Sequence, residues 1–116
     1  MLLVMNDVEQ PIRMVANMEV HKDKNYVVVS INTKIYPIDV IQLAAYVMID
    51  KAYIILDGDP NQEISVELRG KNQSISAEEL GREFNNHLLN YAVYKNQSEK
   101  NKEVKDALIK SALEKE

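Results

Sequence analysis

The stretch "IYPIDVIQLAAYVMIDKAYIIL", residues 35–56, decides how the whole chain folds. It is apolar for most of its length, and its polar thread is Asp39, Gln42, Asp50 and Lys51. A membrane-spanning helix needs about 18 or more consecutive apolar residues, and Asp39, Asp50 and Lys51 interrupt this run. Pro37 suits a helix start, where its missing N–H costs nothing, and it pushes Tyr36 toward an extended conformation. Beyond it Ile38, Ile41, Ala45, Met48 and Ile49 recur at helical spacing, widened by Val40, Leu43, Ala44 and Val47. The spacing predicts a helix over about 38–50, buried on most of its circumference. Asp39, Gln42, Tyr46 and Asp50 form its one narrow polar line. Ala44 and Ala45 permit close approach to a neighbouring element. Ala52 then opens a strand, "AYIILD" (52–57).

Strand patterns lie on both sides of this helix. Upstream, "IRMVANMEV" (12–20) alternates Ile12, Met14, Ala16, Met18 and Val20, which predicts one half-buried strand. "HKDKN" (21–25) has hairpin-loop chemistry, and "YVVVSINTKI" (26–35) is rich in β-branched residues. Its two faces are Val27, Val29, Ile31, Thr33, Ile35 and Val28, Ser30, Asn32, Lys34. Downstream, "EISVELR" (63–69) alternates Ile64, Val66 and Leu68 with Ser65, Glu67 and Arg69, and "GDPNQ" before it is a turn. Ser76 with Glu79 matches a capping box ahead of a helix over about 77–95, with Leu80, Phe84, Leu88 and Tyr91 on one face. Gly81, a poor helix former, marks a close contact there. Ser98 is expected to cap a separate last helix, to about residue 113, with a narrow stripe of Val104, Ala107, Leu108 and Ala112. The expected fold is α+β in the order ββ-α-ββ-α-α: a small antiparallel or mixed sheet with helices on one face. The expected organisation is a single domain over 1–116, with 1–11 loosely ordered and 98–113 as the terminal helix.

The chain has 116 residues, enough to bury a core without metal or disulfide staples. It contains no cysteine, which excludes disulfides, thiolate metal sites and cysteine nucleophiles in the chain itself. A net charge of −4 argues against nonspecific binding to nucleic acid or anionic lipid. "MLLVMNDVEQ" lacks a basic n-region and a long apolar h-region, so no signal peptide is expected. The expected location is cytoplasmic, with neither nucleic acid nor membrane as partner.

Motif chemistry is sparse. Asp57, Asp59 and Asn61 fit positions 1, 3 and 5 of a calcium loop, but Gln62 stands where glycine is needed and Leu68 where the bidentate glutamate belongs. His21 and His87 lack a companion in metal-ligating spacing. Gly58, Gly70 and Gly81 are the only glycines, so a phosphate-cradling loop is not expected. Neither catalytic residues, nor a cofactor, nor a metal is expected. Tyr36, Tyr46, Tyr53, Tyr91 and Tyr94 are expected to pack their rings and hydrogen-bond their tips. Asn85, Asn86 and Asn90 are unusual in one helix, because asparagine is a mediocre helix former. Asn86, Asn90 and Tyr94 share one face, either solvated or a recognition strip.

Two segments together resemble a known family, that of the His-Xaa-Ser system protein HxsD. They are residues 35–56 and "EFNNHLLNYAVYKNQSEKNKEVKDALIKSAL" (83–113). Tyr36, Ala44, Ala45, Tyr46, Phe84, Asn86, Leu88, Leu89 and Tyr91 carry the resemblance, which covers about residues 32–113. The chain departs from the family pattern at "LLNYAVYKN" (88–96), where relatives carry an acidic residue and an arginine, and in its longer N-terminal hairpin. The resemblance implies a small accessory protein encoded with radical-SAM-type maturases and a peptide bearing His-Xaa-Ser repeats. The expectation is a non-enzymatic module that binds a protein or peptide, a maturase or its substrate, through Tyr46, Asp50, Asn86, Asn90 and Tyr94. Strand addition at a free sheet edge is one mode of capture. The alternatives are a structural homo-oligomer formed through the terminal helix, and a small-molecule-binding protein.

Overall fold

A computed structural model of the chain describes residues 12–114. The strands are β1 (Ile12–Val15), β2 (Met18–His21), β3 (Tyr26–Asn32), β4 (Ala52–Asp59) and β5 (Glu63–Gly70); the helices are α1 (Ile38–Tyr46) and α2 (Ala77–Glu114). The five strands form one antiparallel sheet in the order β1-β2-β3-β5-β4. The α+β class and the helices on one face match the sequence reading. The element order is βββ-α-ββ-α, and it departs from expectation in two places. The expectation for residues 1–11 lies outside the described residues.

The first departure is at residues 12–20, which form two strands rather than one. A two-residue turn, Ala16–Asn17, reverses the chain and sets Val15 opposite Met18. Ala16 sits at φ 54, a left-handed conformation that costs an alanine about 1 kcal/mol. A two-residue turn also reverses the parity of the alternation. Met18 and Val20 are therefore buried, while Met14 is 68% exposed on the opposite face. The second departure is at residue 98. Nothing between Lys95 and Ser98 breaks a helix, and α2 runs unbroken for 38 residues, about 57 Å at 1.5 Å per residue. No separate terminal helix exists.

Met18, Val20, Val27, Val29, Ile31, Ile64, Val66 and Leu68 turn to one side of the sheet and meet the helices. There they pack with Val40, Ile41, Ala44, Ala45 and Met48 on one side, and with Leu80, Phe84 and Leu88 of α2 on the other. Gly81 lies where α2 comes closest to the sheet: a Cβ there would stand 2.5 Å from Met18 Sδ and 3.1 Å from Val27 Cγ2. Ser76 Oγ accepts the Glu79 N–H at 3.1 Å, the N-terminal cap expected from the sequence. Arg13 and Glu78, 2.9 Å apart, tie β1 to the first turn of α2.

The opening stretch is buried on one side only. Pro37 is the N-cap of α1, and Asp39 Oδ1 accepts the Val40 N–H at 2.9 Å. Val40, Ile41, Ala44 and Ala45 face the core, whereas Leu43 and Ile49 are exposed along with Asp39, Gln42, Tyr46 and Asp50. The helix ends at Tyr46, and turns carry the chain to Ala52, whose N–H donates to Met48 O at 3.0 Å.

Candidate functional site

Two ion pairs hold α1, and the turn that follows it, against α2. Lys95 Nζ lies 2.7 Å from Asp39 Oδ2 at one end, and Lys51 Nζ lies 2.6 Å from Glu83 Oε1 at the other. Residue numbers rise along α1 as they fall along α2, so the helices run antiparallel. Between the helices, at the Asp39–Lys95 end, is a groove of about 490 Å³ lined mainly by Asp39, Val40, Leu43, Tyr91, Tyr94 and Lys95. Val40 is buried at its base, Tyr91 is half-buried, and Leu43 and Tyr94 are exposed. The groove is thus an apolar cleft with an ion pair at its mouth. The Lys95 ammonium, by its hydrogen bond, holds the Asp39 carboxyl below the usual carboxylate range. Asp39 in turn raises Lys95.

The residues expected to recognise a partner do not form one patch. Tyr46, Asp50, Asn86, Asn90 and Tyr94 are all exposed on the helical layer. Tyr94, 69% exposed, belongs to the α1–α2 groove. Asn86 lines a different concavity beside the β1–β2 turn, with Val15, Ala16, Asn17, Arg82 and Asn85. Asn85 has a structural role. Its side chain exchanges two hydrogen bonds with Asn17, at 3.0 and 3.1 Å, and donates a third to Gly81 O. That pairing pins the β1–β2 turn to α2 and accounts for Asn85 among the asparagines of the helix. Sequence reading missed Leu43, Tyr91, Asp39 and Lys95 as one site. Leu43 and Tyr91 sat within apolar stripes, and the 56-residue separation of Asp39 and Lys95 leaves no spacing to read.

Tyr46, Tyr53 and Tyr94 are 64–69% exposed rather than packed. On the sheet's open face, His21 stacks on Tyr26 at 4.2 Å and the Arg69 guanidinium lies 4.5 Å from the same ring. Asp57 and Asp59 belong to the end of β4, with the β4–β5 turn following, and Asp59 Oδ1 accepts the Asn61 N–H. Among the described residues, no three His, Cys, Asp or Glu side chains come together as a metal-binding group. No helix there is long and apolar enough to cross a membrane.

A small α+β protein with a two-helix groove is a class that many families share, and comparison narrows it. The family model of the His-Xaa-Ser system protein HxsD matches residues 31–116. The chain belongs to that family. The match begins in the last residues of β3, so β1 and β2 precede it. No curated protein and no solved structure matches the chain.

Proposed function

We propose that this chain is a non-enzymatic docking module of a peptide-maturation system, and that a radical-SAM-type maturase is its partner. The observation that carries the reading is the α1–α2 groove, where Leu43 and Tyr94 expose apolar surface beside a helix running past the body of the fold. From Asn96 to Val104 every residue of α2 is exposed, and Val104, Leu108 and Ile109 present more than half their surface to solvent. A helix that covers nothing in its own chain is suited to lie against another. Aromatic anchors in an apolar cleft, rimmed by charge, are the usual hot spots of such contacts. The choice of partner rests on what the resemblance implies: an accessory protein working with maturases and a His-Xaa-Ser peptide. Any radical chemistry belongs to the maturase, since this chain has no cysteine to hold a cluster.

Calorimetric titration against the co-encoded maturases tests the reading. Tyr94→Ala and Leu43→Asp are expected to weaken binding by about tenfold or more. Tyr53→Ala, on the opposite face of the sheet, is expected to bind as the unmodified chain does. Equal binding by all three variants would remove the groove from the account.

A further inference from the structure

We propose that β4 is a self-complementary edge, and that two copies of the chain pair through it into one continuous antiparallel sheet. Among the described residues β4 has β5 on one side and no strand on the other. The hydrogen-bond phase of the sheet fixes which groups it leaves free. The Lys71 N–H donates to Lys51 O at 2.9 Å, and the Thr33 N–H donates to Gln62 O at 3.1 Å. Carried along the β4–β5 and β3–β5 registers, both bonds place Tyr53, Ile55 and Asp57 in bonded pairs with β5. Ile54 and Leu56 therefore turn their N–H and C=O groups outward.

Several of the protections that commonly blunt a long edge are missing here, and its charged residues, Asp57 and Asp59, stand at one end only. β4 is eight residues long and carries neither lysine nor proline, whereas β1, the opposite edge, has four residues. Tyr53 and Ile55 are more than 60% exposed, and Leu56 is exposed on the helical side.

Charge selects a second copy as the occupant. The C-terminal end of β4 is acidic, with Asp57 and Asp59, and Glu63 pairs with Asp59. The N-terminal end carries two basic side chains on the open face: Arg69 pairs with Tyr53, and the Lys71 ammonium lies 5.1 Å from the Tyr53 ring. An antiparallel copy sets each basic end beside an acidic one. The register that keeps open faces together and joins the free backbone groups centres on Ile55. There Ile54 exchanges hydrogen bonds with Leu56 of the second copy, and Ile55 meets its own copy as a close, non-hydrogen-bonded pair. Asp57 of the second copy lies opposite Tyr53, within the field of Lys71 and Arg69. Two sheets of five strands then run together, with both helical layers on the same side.

The full chain, 13.3 kDa, is tested by light scattering across micromolar to millimolar concentration, together with a cysteine probe. A mass that rises to twice the monomer is expected. The absence of native cysteine makes Ile55→Cys a clean reporter. Residues paired without hydrogen bonds sit about 4.5 Å apart at Cα, within disulfide range. Mild oxidation is therefore expected to link Ile55→Cys into a covalent dimer, and to leave Val28→Cys, on the same face but two strands inward, unlinked. Ile55→Lys sets like charges face to face on a solvent-exposed position and is expected to weaken association about tenfold or more with an unchanged circular dichroism spectrum. A monomer at every concentration overturns the proposal. So does a dimer that Ile55→Lys leaves intact, as one built along α2 would be.

Discussion

Gly81 shows how one residue sets the distance between two layers. Replacing glycine by alanine in a helix interior normally stabilises by about 1 kcal/mol. Here the added methyl would press on Met18 and Val27, both buried, and overpacking of that kind costs about 1–3 kcal/mol. Gly81→Ala is therefore expected to leave the protein no more stable than before, by up to about 2 kcal/mol less in urea unfolding. A gain of the full helical increment would show that the layers have slack. The close contact at Gly81 was legible from sequence, because a glycine inside a strong helical pattern needs a reason. The turn at Ala16 was not. It lacks glycine and proline, and the apolar alternation runs straight through it. Asn85 is an odd residue for a helix, but its role is not legible locally, since its partner Asn17 is 68 residues away.

At the scale of elements, α1 and α2 are joined by buried apolar contact and by the Asp39–Lys95 ion pair, and Lys51 in the turn after α1 adds a second pair to Glu83 of α2. Both helices are legible from periodicity and capping, but the extent of α2 is not. Ser98 has the chemistry of a cap, but a cap works only where a helix begins, and no breaker ends the one before it. The same periodicity overstated the burial of α1, because spacing marks an apolar stripe without saying how much of it a neighbour covers. The Asp39–Lys95 pair has a defined pH signature. Asp39 has a folded-state pKa below its usual 3.8. The stability it contributes is therefore present above that usual value and is lost as pH falls through the lowered one. Both side chains are more than a third exposed, so solvent screening keeps the contribution small. The stability difference between the unmodified chain and Asp39→Asn is expected to be largest near pH 6 and to close toward pH 2. A difference that stays constant across that range would mean that the pair does nothing for folding. The free length of α2 predicts a second result. A chain ending after Asn101 is expected to unfold within about 0.5 kcal/mol of the full chain, because none of the described side chains beyond it belongs to the core.

The whole molecule has two unlike surfaces. The long axis spans 83 Å against 27 and 19 Å across, and α2, about 57 Å long, supplies most of that length. The helical layer carries the groove and the projecting helix; the sheet carries an open face and an unprotected edge. One surface faces a different protein in this account, and the other a second copy of the chain. Sequence alone marked the family and the fold class, because both rest on local patterns in residues 35–56 and 83–113. The groove was out of reach, since it exists only where α1 crosses α2. The most direct test is backbone amide NMR of the labelled chain during titration with the proposed partner, a radical-SAM-type maturase. The account predicts shifts and broadening concentrated at Leu43, Tyr91, Tyr94 and onward along α2, with β2 and β3 unmoved. Perturbations confined to the open face of the sheet, around Tyr26, Val28 and Glu67, would contradict it.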